Sequence, residues 1–480
     1  MIAAQMKRLA RHSAIYGLGG LVSRILAVLL LPLYTSYLRG SGYGKIETIL
    51  ALITVLVIVL RLGISSAFFR FYFDSPDPAR RTVVVRTSFW FTMTMATAGL
   101  VVGCVLAGPI ADALRLGGDA WLVRAGFVVL WAQMNYEQLT SLFRVEERSV
   151  AFGIASVVNV VVTVAATVLL VVVLKKGATG ALVGNFIGTL AVYVPLLVYR
   201  RFQLGLQFDR SLFRAMNKFG MPLVPSALAL WAINFVDRIF IAQYKGQTEV
   251  GVYSVAVRIS SAIVFLLFAF RTAWPAFAYS IEDEREAKRT YSYVLTYLLL
   301  VCSWVSVALG LLAPWLVHVL APKPEFQRGQ EAVALLAFAS TAYAGYTVLA
   351  IGVGRARRTQ FNWVVTGFGA AVNIGLNFWL VPAYGMVGAA VATVAAYVAL
   401  FVGMTLNAQH VWHVPYQWRR VVTLAAAAVA LVVLGALLNV PLPLAIALSI
   451  AYPLALAPFG FYLPAERRRL RRLVTSLSGS

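Results

Sequence analysis

Long apolar runs separated by short polar breaks recur from one end of the chain to the other. They predict 14 helices, over residues 13–38, 46–70, 82–108, 120–143, 150–174, 178–199, 219–243, 250–280, 290–313, 330–353, 360–381, 386–407, 421–438 and 443–463. A hydrocarbon core about 30 Å thick takes roughly 20 residues of helix to cross, and most of these runs reach that length. The longest polar stretches lie near 200–218 and 281–289, and neither is large enough to form a domain. The pattern therefore predicts an all-α polytopic membrane protein.

Composition agrees with that reading. Of the 480 residues, 61% are hydrophobic and 12% charged, against about 45–50% and about 25% in soluble domains. The basic start MIAAQMKRLARHSAIY resembles a signal peptide. The apolar run after it is too long for a signal h-region, however, and no small-residue cleavage site closes it, so it reads as a retained first helix. Cys104 and Cys302 each sit inside an apolar run, and the four histidines form no cluster; no metal site, disulfide framework or cofactor is expected.

A formal charge of +23 would suggest nucleic acid in a soluble protein. Here the positions of the charges give another explanation. Loops on one side, starting with the N-terminus, hold 27 Lys and Arg, and those on the other side hold 9. The positive-inside rule then places both termini in the cytoplasm, with an even number of crossings of the cytoplasmic membrane. The basic tail ERRRLRRL (466–473) reads as an inside anchor, and EDEREAKR (282–289) as a solvated loop of mixed sign.

An internal repeat is visible. YLRGSGYGKIETI (37–49) matches QYKGQTEVGVYSV (243–255), and KKGATGALVGNFIGT (175–189) matches PAYGMVGAAVATVAA (382–396), both offset by about 207 residues. An even number of helices per copy makes the repeats parallel. The expected organisation is a six-helix lobe over 1–205, a second over 206–410, and an extra helix pair with the basic tail over 411–480. Two such bundles facing each other enclose a central cavity, a transporter architecture.

Five arginines fall inside the predicted helices: Arg24, Arg61, Arg238, Arg258 and Arg271. Arg24 lies 13 residues past Arg11, roughly 18–20 Å along the helix, too deep for easy snorkelling. A charge at such depth costs about 2.5–3.5 kcal/mol on insertion scales and so faces a cavity or a partner. The acids are fewer: Glu47, Glu137 and Asp237. Each arginine is then either half of an ion pair, as Arg24 with Asp237, or a ligand for an anionic head group, since a guanidinium donates bidentately to phosphate. The excess of arginines over acids favours Arg24, Arg61, Arg271 and Arg258 at an anionic substrate. Asp237, Glu137, Arg238 and Glu47 are the candidates for ion coupling or ion pairing. Pro32, Pro222, Pro225 and Pro275 interrupt the helices that carry most of the arginines, as a moving gate or a static kink would require. YGLGG (16–20) is a helix-packing element and no phosphate loop, because no strand precedes it.

LPLYTSYLRGSGYGKIETI (31–49), VDRIFIAQYKGQTEVGVYSVAVRI (236–259) and LNFWLVPAYGMVGAAVAT (376–393) resemble the polysaccharide biosynthesis proteins of the MOP superfamily, the Wzx-type flippases of lipid-linked oligosaccharides. The resemblance covers roughly residues 10–408. It implies 14 helices in two lobes and a polyprenyl-diphosphate-linked glycan turned to the outer leaflet by alternating access. It also implies a basic cavity in which Arg24, Arg61 and Arg271 meet the diphosphate. Polysaccharide polymerase and assembly proteins are then possible partners beside membrane lipid. The lipid II flippase is a close relative, but its more arginine-rich first helix is not reproduced here. The alternatives are a cation-coupled multidrug exporter, which would favour acids in the cavity, and a membrane glycan polymerase or ligase. The last would need catalytic groups in a substantial outer loop, and the outer loops hold no cluster of His, Asp and Glu. No catalytic residue is expected.

Overall fold

The computed structural model describes residues 30–464 apart from 357, 359 and 360. Most of the first predicted helix with Arg24, the YGLGG element and the basic tail lie outside the described residues.

The described chain is helical throughout. In order it forms α1 (Leu31–Tyr37), α2 (Gly40–Arg61), α3 (Ile64–Phe73), α4 (Pro78–Val105), α5 (Ala107–Ala113), α6 (Ala120–Val145) and α7 (Ser149–Val168). A π turn at Leu169–Val173 ends α7; α8 (Gly177–Arg200), α9 (Arg210–Gly220), α10 (Val224–Tyr244), α11 (Gln247–Ser260) and α12 (Ala262–Ser280) follow. The rest is α13 (Glu284–Leu311), α14 (Ala313–Leu320), α15 (Gln330–Arg355), α16 (Asn362–Val411), α17 (Trp418–Leu437) and α18 (Leu442–Ala455). Among the described residues nine helices are long and apolar enough to cross a membrane, or ten if the broken pair α11 and α12 is one span. Helix α16 is two helices joined at Gly385, whose φ of 57° and ψ of −132° are not helical. Helix α6 carries Gln133, Asn135, Glu137 and Gln138 within two turns of its span. Each predicted span from 46–70 onward is mainly helical, the last only to Ala455, so the chain is an all-α polytopic membrane protein.

Several boundaries differ from expectation. The span 46–70 is broken by Leu62 and Gly63, both left-handed (φ 46° and 74°), directly after Arg61. Gly63 is required there twice over, because a Cβ would collide with the backbone of Gly220. The polar stretch 200–218 is not all loop: α9 occupies Arg210–Gly220, followed by one 3-10 turn at Met221–Leu223 that contains Pro222. Asp209 caps α9, accepting from the Ser211 hydroxyl at 2.6 Å and the Leu212 amide at 2.9 Å, and these donors hold its carboxyl below the usual range. EDEREAKR is mostly helix as well, since α13 starts at Glu284 behind the cap Asp283. Pro32 and Pro225 begin helices and do not interrupt them, whereas Pro275 lies inside α12.

By contacts the described chain divides into two units. The first runs to Arg258 and takes in His318–Gly329 and Thr366–Ala396; the second holds Ile259–Val317, Gln330–Val365 and the chain from Tyr397. Within the first, α7 packs on α8, α8 on α6, and α6 on α4. Gly180, Gly184 and Gly188 recur every four residues along α8, and a Cβ on Gly184 would lie 2.8 Å from the Thr167 backbone. Small residues at this spacing let membrane helices approach closely. A core of Ile64, Phe68, Val84, Phe89, Leu139 and Tyr193 closes the other end of this unit, and Leu212 and Met216 of α9 dock into it. In the second unit α13 lies between α15 and α17.

Candidate functional site

The sequence repeat has a direct structural consequence in the first unit. Helices α2 and α11 start 207 residues apart, at Gly40 and Gln247, and their first turns touch reciprocally. A Cβ on Gly44 would fall on the Gln247 carbonyl, and one on its repeat partner Gly251 would fall on the Gly40 carbonyl. Polar groups fasten this contact. Thr48 Oγ1 donates to Gln247 Oε1 at 2.9 Å, Gln247 Nε2 donates to the Leu114 carbonyl at 2.8 Å, and Glu325 accepts from the Gly40 amide at 2.9 Å.

One to three turns deeper lies a buried charge cluster. Glu47 of α2 accepts from Arg258 Nη2 at 3.0 Å, and its other oxygen is 3.5 Å from Arg238 Nε. Asp237 accepts from the Arg238 amide at 2.8 Å and from the Tyr253 hydroxyl, and its Oδ1 is 3.4 Å from Arg238 Nη1. Two acids face two arginines, so the cluster is formally neutral. Glu47, Asp237 and Arg238 are buried, while the Arg258 side chain keeps 31% of its surface exposed. Removing ions from water is costly unless each finds its counter-ion, and three helices converge here to supply them.

A second pair forms at the break after α2. Arg61 Nη1 donates to Glu137 Oε2 at 2.7 Å and Nη2 to the Met134 carbonyl at 3.0 Å. Gln133 Nε2 holds the other Glu137 oxygen at 2.9 Å. Arg61 Nε is buried without a hydrogen-bond partner, so this guanidinium keeps one donor unused.

Arg271, in the second unit, is different. It lies nine residues before the end of α12, about 14 Å of helical rise, and is exposed. Its Nη1 donates to the Tyr343 hydroxyl at 3.2 Å and its guanidinium sits 5.7 Å from that ring. Tyr343 in turn stacks on Tyr346 at 5.8 Å and meets Tyr397 at 5.2 Å. No carboxylate pairs with Arg271 among the described residues.

The structure therefore joins Glu47, Asp237, Arg238 and Arg258 in one cluster and Arg61 with Glu137 in another, and leaves Arg271 beside tyrosines. Arg24 lies outside the described residues. Sequence reasoning missed Tyr253, Tyr343 and the polar face Gln133–Glu137. Those had a signal: amides and hydroxyls at helical spacing inside membrane spans. No group of three or more metal-ligating side chains occurs among the described residues.

A polytopic helix bundle with an internal parallel repeat and intramembrane arginines defines the class: a membrane protein with the MOP-superfamily fold. The sequence profile of polysaccharide biosynthesis proteins matches residues 9–281, and that of MatE matches 222–379. The first match takes in more than half of the chain, which belongs to the polysaccharide biosynthesis protein family. Among solved structures, lipid II flippase MurJ in an inward closed conformation superposes with a TM-score of 0.75 at 13% identity, covering 93% of this chain and 99% of that one. At that identity the likeness is one of fold. The lipid III flippase of Escherichia coli (strain K12) is 24% identical over 404 residues, 80% of this chain and 92% of its own. An uncharacterized membrane protein of Methanocaldococcus jannaschii is 24% identical over 204 residues, and the chain spans 39% of its length.

Proposed function

We propose that the protein is a flippase for polyprenyl-diphosphate-linked oligosaccharide, working by alternating access in the cytoplasmic membrane with both termini inside, in surface polysaccharide biosynthesis. The observation that carries this reading is the charge left over once the ion pairs are counted. Among the described residues the acids Glu47, Glu137 and Asp237 pair with Arg61, Arg238 and Arg258, and Arg271 meets no carboxylate. A guanidinium without a carboxylate suits a diphosphate, which accepts bidentate hydrogen bonds from it. A charged side chain at the depth of Arg271 does not face lipid, so its exposure argues for a water-filled space. The tyrosines around it offer hydroxyls and ring faces to a sugar.

In this reading Arg24 and Arg271 contact the diphosphate, and Arg61 joins them once its buried guanidinium is uncovered. Arg258, engaged by Glu47, contributes positive potential from the edge of the neutral cluster. Asp237 and Glu137 would serve a coupling cation only by exchanging their arginine partners for it. The two lobes, 1–205 and 206–410, would move against each other, with 411–480 as an accessory pair. The family and the lipid III flippase similarity support a glycan cargo, and polymerase and assembly proteins are the natural partners of such a transporter. A cation-coupled multidrug exporter fits less well, because the acids it would present to a cationic drug are already occupied by arginines. The fluorescent glycan carried on a polyprenyl diphosphate, in liposomes containing the purified protein, tests the proposal. Movement to the far leaflet above empty liposomes is expected. Its absence, with a working flippase control in the same preparation, refutes the assignment. Heightened drug sensitivity of a deletion strain with normal surface glycan would favour the exporter.

A further inference from the structure

A cavity of about 350 Å3 opens at the start of α13, in the second unit, lined by Arg285, Lys288, Arg289, Ser292 and Tyr293 together with Gln417 ahead of α17. The segment that reads as mixed charge in the sequence is sorted by the helix. Arg285, Lys288, Arg289 and Ser292 follow an i, i+3, i+4, i+7 spacing and share one face. The acids of the same segment do not line the cavity. Asp283 is occupied as the helix cap, accepting from the Glu286 amide at 2.7 Å, and Glu284 pairs with Lys288 at 2.8 Å while accepting from Trp412 Nε1 at 3.3 Å. Neither Arg285 nor Arg289 meets a carboxylate among the described residues; Arg289 lies 5.8 Å from the Tyr293 ring.

The remaining wall is also donor-rich. Arg420 Nη1 donates to Gln417 Oε1 at 2.5 Å, which leaves the Gln417 amide nitrogen as that side chain's free group. The Ser292 hydroxyl is spent on the Pro415 carbonyl at 2.8 Å. The lining thus presents two guanidiniums that meet no carboxylate among the described residues, the Lys288 ammonium already paired with Glu284, and one amide NH2. The cavity sits where α13 passes from its polar first turns into its apolar span, beside the first turn of α17, at the level expected of lipid head groups.

The geometry points to a binding site for the phosphodiester head group of an anionic phospholipid. The guanidiniums of Arg285 and Arg289 grip the phosphate oxygens, Gln417 donates to the glycerol or ester side, and the acyl chains run along the apolar flank of α13. Its lining includes none of Arg61, Arg258, Arg271 or Tyr343, so this site is separate from the proposed cargo site.

The test is native mass spectrometry of the purified full-length protein in detergent, offered equal amounts of phosphatidylglycerol and phosphatidylcholine, with glycerol 3-phosphate as a competitor. Wild type is expected to retain phosphatidylglycerol in preference. Arg285→Gln with Arg289→Gln should weaken that binding roughly tenfold or more, since each cation near the head groups contributes about 1 kcal/mol. Arg124→Gln, which lies over Trp121 far along the chain, should leave it unchanged. Unaltered phosphatidylglycerol binding in the double Gln variant overturns the site. Displacement of the lipid by equimolar glycerol 3-phosphate overturns the lipid identification and makes the cavity a soluble-phosphate site. If the Gln pair disturbs folding, the single change Arg289→Gln decides: a several-fold weaker preference in a normally eluting protein upholds the site, and an unchanged preference overturns it.

Discussion

At the scale of single residues, the chain separates charges that hold it together from charges that stay available. Glu47 accepts from Arg258 and lies beside Arg238, all within a neutral buried group. Replacing Glu47 by Gln leaves Asp237 as the one acid of the cluster for two arginines, and breaking one partner of a buried pair costs about 3–5 kcal/mol. We expect Glu47→Gln to lower the thermal unfolding midpoint in detergent clearly, and the added change Arg258→Gln to restore part of it; a double variant no better than the single one would show that the two do not act as a pair. Arg271 is expected to behave oppositely. Arg271→Ala should keep normal membrane levels and unfolding midpoint but abolish surface glycan in a deletion strain, with Arg271→Lys recovering part of the export; the same pair of changes at Arg24 should follow suit. Full export by both Ala variants would remove the diphosphate reading. The eight intramembrane charges were all legible in the sequence, because a charge in an apolar run stands out. Which of them pair was not: Glu47 and Arg258 are 211 residues apart, and only the fold brings α2 against α11.

Among the elements, the helices were legible from their apolar length, and their breaks less so. Leu62–Gly63 falls within a long apolar run, where Arg61, Gly63 and the following serines were the warnings and apolar length outvoted them. Helix α9 was hidden by Arg210, Arg214 and Lys218, although Asp209 before Leu212 and Met216 is a capped amphipathic start. The glycine joints offer a sharper test. Gly177 and Gly385 close the matching hairpins of the two repeats with φ of 60° and 57°. A Cβ on Gly177 would enter open space, whereas one on Gly385 would strike the Glu249 carboxylate that accepts from the Met386 amide at 3.0 Å. Strained backbone costs about 1–3 kcal/mol per residue. Gly385→Ala should therefore lower the unfolding midpoint more than Gly177→Ala, although both positions disfavour a side chain. Equal losses would mean that only the backbone angle matters.

For the whole molecule, the repeat visible at an offset of about 207 residues becomes a reciprocal contact between α2 and α11, with glycines at equivalent positions pressed against each other's helix. Such a seam has no side-chain bulk to separate the two helices, and the Thr48–Gln247 bond and the charge cluster beneath it add polar fastening. The loops that lead into both helices belong to the lysine- and arginine-poor side, so in the proposed orientation the seam lies outside. A transporter that alternates access must part such a seam to release cargo, and its polar bonds are individually weak enough, about 0.5–1.5 kcal/mol each net, to allow it. A cysteine pair locks the question. An ideal Cβ on Gly40 lies 3.1 Å from the Thr248 methyl, close enough that cysteines there approach the Cβ separation of about 3.5–4.5 Å that a disulfide needs. With Cys104 and Cys302 replaced, Gly40→Cys with Thr248→Cys should cross-link under mild oxidant and stop glycan movement in liposomes, and reductant should restore it. Full transport by quantitatively cross-linked protein would show that the seam stays shut throughout the cycle and that the cargo leaves by another route.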